Sequence, residues 1–395
     1  MKILFLSHRV PFPPNKGDKI RSFHILKYLH ERHDVYVACP VDNKDDLNSV
    51  KELQNNGYKI DYEFIPSRSR YLNVAKRGLS GSPLSIGNFW SNRLSTRIKS
   101  LALSEKFDAL FVFSSTMAEY AKELDIPVRI IDFCDLDSAK FEQFSDFTSA
   151  PKSWLYKIEG KRLAKYEQSL LPKYDHILFI SPEEKRLYTE NNSSEKVKTM
   201  SNGVVFENAF DDNSHVEKLA LSPYILFTGV MNYLPNVDAA KWFAENVFLD
   251  LKKLFPTLSF YIVGKDPVAS VRELHNPNND IHVTGFVKNI EPYLVHASAF
   301  VAPLRIARGM QTKILEAMAY NIPVVSSRAS MRGLGATEEQ HVLAADESYE
   351  FVRQISRVLS NEPLANRLRA NARDFIKENF DWDTNLGLLD DLLEG

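Results

Sequence analysis

The chain has 395 residues, of which 44% are apolar and 25% charged, with a formal net charge of −2. That length allows two domains with a sizeable core each, and the composition is that of a soluble globular protein. Two cysteines, Cys39 and Cys134, indicate no disulfide framework or zinc site and fit a reducing cytoplasm. The N-terminal apolar run, residues 1–6, is too short for a signal-peptide core, and no run approaches the ~20 apolar residues of a membrane span.

Residues 2–7 read as a buried strand, 8–18 as a turn-rich loop with Pro11, Pro13, Pro14 and Gly17, 19–33 as a helix and 34–40 as the next strand. This βαβ start lacks the G-x-G-x-x-G dinucleotide fingerprint. Gly17 has no Cβ and permits close approach of a ligand, although a turn glycine is the plainer reading. Further strands are expected at 59–65, 109–113, 128–134, 175–180 and 196–200. The strand at 128–134 runs into Asp135 and Asp137, just past a strand's C-terminal end, where ligands sit in open α/β sheets. Either carboxylate could orient or deprotonate a hydroxyl, or cap the helix that follows. Ser181-Pro182-Glu183-Glu184 has the order of a capped helix start.

Residues 206–221 read as a linker, after which the alternation restarts with strands at 224–229, 259–264 and 281–285 and a helix at 237–248. One helix is expected over 374–393. The whole reads as α/β, with two Rossmann-like domains of parallel strands.

Charge is unevenly spread. Residues 1–200 carry 31 Lys and Arg against 26 Asp and Glu, and residues 201–395 carry 18 against 25. Between Glu63 and Glu105 there is no acid, but there are seven bases with Tyr71, Leu72, Phe89 and Trp90 among them. A solvated surface of loops and one helix accounts for such a patch. It could also meet anionic lipid, a lipid diphosphate or nucleic acid.

The densest chemistry lies in residues 299–327. An apolar strand, 299–304, leads into a basic loop with Arg305, Arg308 and Gly309. A helix follows, its inner stripe at Met310, Ile314, Ala317 and Met318, and a second buried strand starts at Pro323. A strand–loop–helix–strand order makes the two strands parallel. The helix N-terminus suits a phosphate, and Arg305, Arg308 and Lys313 add charge there. Glu316 lies one turn below Lys313, roughly 4.5 Å along the axis, where a carboxylate could accept from two vicinal hydroxyls such as those of a ribose. From spacing alone a solvated surface loop is about as good a reading.

Residues 305–319, RIARGMQTKILEAMA, resemble the nucleotide-sugar signature of family 4 glycosyltransferases with the GT-B fold. That resemblance implies two Rossmann-like domains facing across a cleft: 1–208 on the acceptor side, 209–222 as linker, 223–375 for the donor, and a C-terminal helix, about 376–395, crossing back. In the family two Glu residues, eight positions apart, frame the donor. The second is Glu316 here, and the first falls on Arg308, so the donor contacts differ. Around residues 14–18 the chain is similar to the family's glycine-containing loop, which implicates Gly17 toward the donor and Asp18 and Arg21 toward the acceptor. Cys134 falls where many members carry a His, with Asp135 next.

Residues 228–238, 283–287 and 302–311 narrow the likeness to sugar transferases associated with exosortase/PEP-CTERM exopolysaccharide systems. The loop after residue 229 lacks the family's Arg and Lys, so Arg305, Arg308 and Lys313 stand in for them, beside Gly229, Asn232 and Gly309. The implied activity is retaining, metal-independent transfer of a hexose-type unit from a UDP- or GDP-sugar, used as substrate with no cofactor, to a glycan or lipid-linked glycan. Asp135, Asp137 and Arg308 are the catalytic candidates. Peripheral contact of residues 64–104 with anionic membrane at the inner face of the cell membrane fits that acceptor, and nucleic acid does not. A nucleotide-sugar epimerase of the same fold and a catalytically silent GT-B scaffold subunit are the alternatives.

Overall fold

The computed structural model describes residues 1–190, 194–204 and 223–394, so the expected linker lies outside the described residues. The chain forms two compact units: unit 1 is Met1–Asn202 with Asp383–Gly395, and unit 2 is Gly203–Trp382.

Unit 1 is built on seven parallel strands in the order β3-β2-β1-β4-β5-β6-β7. They are β1 (Lys2–Ser7), β2 (Asp34–Val41), β3 (Lys59–Phe64), β4 (Ala109–Phe113), β5 (Val128–Cys134), β6 (His176–Phe179) and β7 (Val197–Thr199). Those at the centre are continuous apolar runs because helices cover both faces of the sheet. Leu4, Leu6, Leu110, Val112 and Ile131 pack into one core with Leu94 and Ile98. The helices of this unit are α1 (Gly17–His30), α2 (Asp46–Asn55), α3 (Ser67–Leu79), α4 (Leu84–Phe89), α5 (Asn92–Glu105), α6 (Asp137–Asp146), α7 (Lys152–Leu170) and α8 (Pro182–Thr189). As its sequence order implies, α8 is capped by Ser181, whose hydroxyl accepts the Glu184 N–H at 3.3 Å.

The acid-free stretch is three helices, α3 to α5, rather than loops and one helix. Its charge is also largely spent. Arg70 pairs with Asp42, Arg77 with Glu119, Arg93 and Arg97 with Glu63, and Lys99 with Glu123. The partners come from outside the stretch, so composition within it overstates the free positive charge.

Unit 2 has six parallel strands in the order β10-β9-β8-β11-β12-β13. They are β8 (Tyr224–Thr228), β9 (Ser259–Val263), β10 (Ile281–Gly285), β11 (Ala299–Ala302), β12 (Val324–Ser326) and β13 (Leu343–Ala344). Each sheet therefore reverses direction beside its first strand, which opens a crevice at the C-terminal strand ends. Helix α9 (Leu234–Phe243) follows β8, and α10 (Thr312–Ala319) joins β11 to β12.

The expected helix over 374–393 is broken. It comprises the end of α11 (Glu362–Asn379), then α12 (Trp382–Leu386) and α13 (Leu388–Glu394). The first break comes where Val204 N–H bonds to the Phe380 carbonyl and Gly203 lies against Trp382, so closely that a Cβ would fall 2.4 Å from its ring. After the break the chain belongs to unit 1, where the Tyr28 hydroxyl of α1 donates to Asp390 at 2.7 Å.

Glu167 on α7 gives a stability test. It is buried, with one oxygen accepting the Ser138 N–H at 3.2 Å and the other unpartnered. Burial, with Asp137 adding repulsion, pushes its carboxyl from an ordinary 4.5 up to about 8. A folded pKa above the unfolded one means stability is highest at low pH and is lost as pH rises through this window. Glu167→Gln should match the parent near pH 4.5 and exceed it at pH 8 by on the order of 1–3 kcal/mol in urea melts. Parallel pH trends in the two proteins would show that Glu167 does not titrate in this way.

Candidate functional site

In unit 2 the chain is drawn tight at the strand ends. Gly229 ends β8 and its N–H donates to the Val263 carbonyl at 3.0 Å. Gly264 ends β9, and a Cβ there would lie 1.6 Å from the Gly229 oxygen. One on Gly229 would lie 2.6 Å from the Asn236 amide and 3.0 Å from Lys313 Nζ. Only glycine fits at 264, while a Cβ on Gly229 would displace the Asn236 amide, and that closeness lets side chains from α9 and α10 meet over the sheet edge.

The loop from β11 to α10 is pinned at both ends. Ser327 Oγ donates to the Leu304 carbonyl at 2.7 Å, and Gln311 Nε2 to the Arg308 carbonyl at 2.8 Å. Gly309 has φ +60°, and Gly333 sits so near that a Cβ would be 2.1 Å from the Gly309 oxygen. Helix α10 then buries Ile314, Leu315, Ala317 and Met318, leaving Lys313 and Glu316 at the rim.

Lys313 Nζ donates to Asn236 Oδ1 and lies 4.6 Å from the centroid of the Phe227 ring. Asn236 is itself fixed by donating to the Val230 carbonyl at 3.0 Å. Burial pushes the Lys313 ammonium down to about 7, against the attraction of Glu316. Burial likewise pushes the Glu316 carboxyl up to about 7, against the attraction of Lys313. Removing water from both charges thus outweighs their mutual attraction, leaving each poised to gain from a ligand of opposite charge or a hydroxyl donor.

The other expected donor residues separate. Arg305 is not free for a phosphate: Asp238 of α9 holds its guanidinium through two hydrogen bonds, with Trp242 5.8 Å away. Arg308 makes no ion pair among the described residues, and its buried Nε has no partner. Asn232 is exposed on the turn between β8 and α9. Asn236, Asp238, Gly264 and Gly333 were not expected. The Leu-Pro-Asn start of α9 was the available signal, since Pro235 opens a helix and puts Asn236 in its first turn.

Unit 1 gathers polar groups at the ends of β1, β4 and β5. Asp18, in the first turn of α1, accepts from Arg9 at 2.8 Å and stands 3.3 Å from His8 Nε2. Burial raises its pKa, but the bond to His8 and the charges of His8 and Arg9 outweigh that and hold the carboxyl well below its ordinary value. Gly17, beside it, has open space where a Cβ would point. Arg21 is fully buried, bonding Asp132 at 2.7 Å and Asn202 at 2.9 Å, so it has no surface to offer an acceptor. Asp137 is bound to Lys140 within its own helix turn, and it makes no capping bond.

Asp135 directly follows β5. Burial, then the negative charge of Glu184, pushes its carboxyl up to about 7. One oxygen is buried without a partner, as are Ser7 Oγ, His8 Nδ1 and Arg21 Nη2. Among the described residues no three His, Cys, Asp or Glu side chains could hold a metal ion.

Comparison with known proteins fits this architecture. The family described as glycosyl transferases group 1 matches residues 222–361, the segment that holds the Lys313–Glu316 helix. A Klebsiella pneumoniae relative, described as an uncharacterized 44.6 kDa protein in the cps region, is 21% identical over 96% of each chain. Among solved structures, sucrose-phosphate synthase from Thermosynechococcus elongatus has a TM-score of 0.72 at 13% identity, covering 100% of this chain and 98% of that one. Anabaena Alr3699/HepE in complex with UDP and glucose has a TM-score of 0.71 at 15% identity, covering 100% and 99%. The protein therefore has the GT-B class of fold, with two Rossmann-like parallel-sheet domains. Its second half carries the likeness to group 1 glycosyl transferases.

The poise of Lys313 can be measured directly. After reductive methylation with labelled formaldehyde, an NMR titration should find one lysine with its midpoint near 7. Because Glu316 raises that midpoint, Glu316→Gln should lower it further. A midpoint at the ordinary lysine value of 10.5 in both proteins would remove the strain assigned to this pair.

Proposed function

We propose that this protein is a retaining, metal-independent glycosyltransferase. It moves a hexose-type unit from a UDP- or GDP-sugar to a glycan or lipid-linked glycan of an exopolysaccharide. The observation that carries this reading is the Lys313–Glu316 pair, one helical turn apart at a glycine-lined strand edge. The N–H groups that open α10, with Arg308 and Lys313, meet the diphosphate, and Glu316 accepts from the ribose hydroxyls. As the sugar–oxygen bond breaks, charge develops on the departing diphosphate. A lysine already held out of water stabilises it without reorganising. Support for a diphosphate-sugar donor comes from the Anabaena protein, whose structure holds UDP and glucose. The cps-region relative supports an extracellular glycan as product.

Acceptor handling is assigned to unit 1. Asp135 is the base of choice there, since Asp137 and Asp18 already hold cationic partners and Arg21 is enclosed. With its carboxyl near 7, Asp135 is partly ionised at neutral pH and becomes a better base above it.

Product analysis with nucleotide-sugars and glycan acceptors tests the activity. Free UDP or GDP with a lengthened acceptor is expected, whereas an epimerised sugar, or no turnover of any donor, would overturn it. Glu316→Gln should weaken nucleoside-diphosphate binding by roughly 1–3 kcal/mol, the range for losing a charged acceptor, with little change in stability. Unaltered affinity in titration calorimetry would take Glu316 out of the site.

The two arginines should differ. Arg308→Ala should cost more affinity for the nucleoside diphosphate than for the monophosphate, because only the diphosphate offers an outer phosphoryl. Arg308→Lys should recover part of the loss, keeping charge without the fork. Arg305→Ala should leave the preference for diphosphate unchanged, since Asp238 already occupies its guanidinium. Equal losses from the two alanine variants would show that Arg305 also reaches the phosphates.

A further inference from the structure

Helix α7 buries its acids and exposes its bases. Glu159 and Glu167 are the acids between Lys152 and Leu170, and both are buried on the inner stripe with Leu163 and Leu170. The Glu159 carboxylate accepts the N–H groups of Leu84 and Ser85 at the start of α4, at 2.7 and 2.8 Å. Arg162 donates to the carbonyls of Gly78 and Ser82, at 3.1 and 3.3 Å, so the turn after α3 is locked to α7.

Among the described residues the opposite stripe has no such partner. Trp154, Ile158, Lys161 and Lys165 follow at i, i+4, i+7 and i+11 and so share one face, with Lys157 at its border. Trp154 is 67% exposed, Leu155 49% and Ile158 48%. None of these lysines forms an ion pair among the described residues, unlike five of the seven bases of the 64–104 stretch. Exposed acids nearby on α6 are Glu142 and Asp146, against the exposed Lys152, Lys157, Lys161 and Lys165.

We infer that the outer face of α7 docks on an anionic lipid bilayer. Trp154 and Ile158 enter the headgroup boundary, and the lysines one and two turns further on meet lipid phosphates. An indole with aliphatic neighbours at one end of a stripe and free ammonium groups at the other matches the two layers of that boundary. No helix among the described residues is long and apolar enough to cross a membrane. The inference is independent of the donor chemistry: vesicle binding can fail while nucleotide binding holds, and the reverse.

Flotation of the full chain with vesicles tests it. Binding to vesicles of mixed phosphatidylcholine and phosphatidylglycerol should exceed binding to phosphatidylcholine alone and weaken with added salt. Lys157→Glu with Lys161→Glu should reduce partition on the order of tenfold or more, and Ile158→Asp should reduce it as well. Lys99→Glu, at a site already paired with Glu123, should leave it unchanged. Tryptophan emission should shift to the blue on binding and lose that shift in Trp154→Phe, which places the indole in lipid. Equal binding to neutral and anionic vesicles, or partition insensitive to the α7 substitutions, would overturn the inference. So would a dimer in sedimentation velocity that Ile158→Asp dissociates, since a second copy of the chain would then cover the face.

Discussion

The donor half depends on keeping one ammonium group largely out of water. Lys313 is half-buried against Phe227 from β8 and Asn236 from α9, and the strand ends beneath it come this close because Gly264 has no side chain. A Cβ at Gly264 would drive the two strand ends apart, and one at Gly229 would displace the Asn236 amide that Lys313 bonds. Among the described residues the ammonium then has one hydrogen-bond partner, Asn236, and one nearby opposite charge, Glu316, each too little to offset the lost hydration. Such a group gains far more from an arriving anion than an exposed lysine would. That difference separates this cation from Arg305, whose carboxylate partner already satisfies it.

Unit 1 solves a related problem in the opposite way. Arg21 is fully buried, more deeply than Lys313, but Asp132 and Asn202 take two of its nitrogens, and the Asp132 carboxylate also accepts the Cys134 N–H at 2.8 Å. One buried pair thereby ties α1, the end of β5 and the chain at Asn202 together. Removing one partner of such a pair leaves an uncompensated charge, so the pair works as a fixed strut rather than a ligand contact. It also has a consequence for the turn that follows. Cys134 is held at φ +62°, a left-handed conformation uncommon for a residue with a side chain, and Glu184 accepts the Leu136 N–H at 2.7 Å. Asp135 lies between these two anchors, which keep its carboxyl buried and beside Glu184, the two causes of its raised pKa.

Strands were the most legible part of the chain. Those at 2–7, 109–113 and 128–134 are apolar runs closed by polar or turn residues, and their observed bounds coincide with the reading. Such runs are set by burial on both faces, a local property that periodicity reports. In the site, Lys313 and Glu316 were legible for a similar reason: helical spacing fixes their separation whatever surrounds them. Asp238 capturing Arg305 was not, because that contact joins residues 67 positions apart in different elements. The break near Phe380 is likewise set by a segment that returns from residues 203 and 204, so no local signal marks it.

The same distinction decides what the charge distribution can do. Along the sequence, the stretch from 64 to 104 looks like the basic surface of this protein, since it has seven bases and no acids. In space it lies against Asp42, Glu63, Glu119 and Glu123, and carboxylates within hydrogen-bonding range cancel most of its field. Helix α7 has two acids in its sequence and looks mixed, yet both face inward, one on backbone N–H groups of α4 and the other on that of Ser138. Its outer lysines are left unopposed along the helix. A net count along the chain thus ranks the two surfaces in the wrong order. The ranking reverses because an acid's effect on a surface depends on which side of its helix it occupies, and the 3.6-residue repeat puts Glu159 and Glu167 on the side away from Lys161 and Lys165.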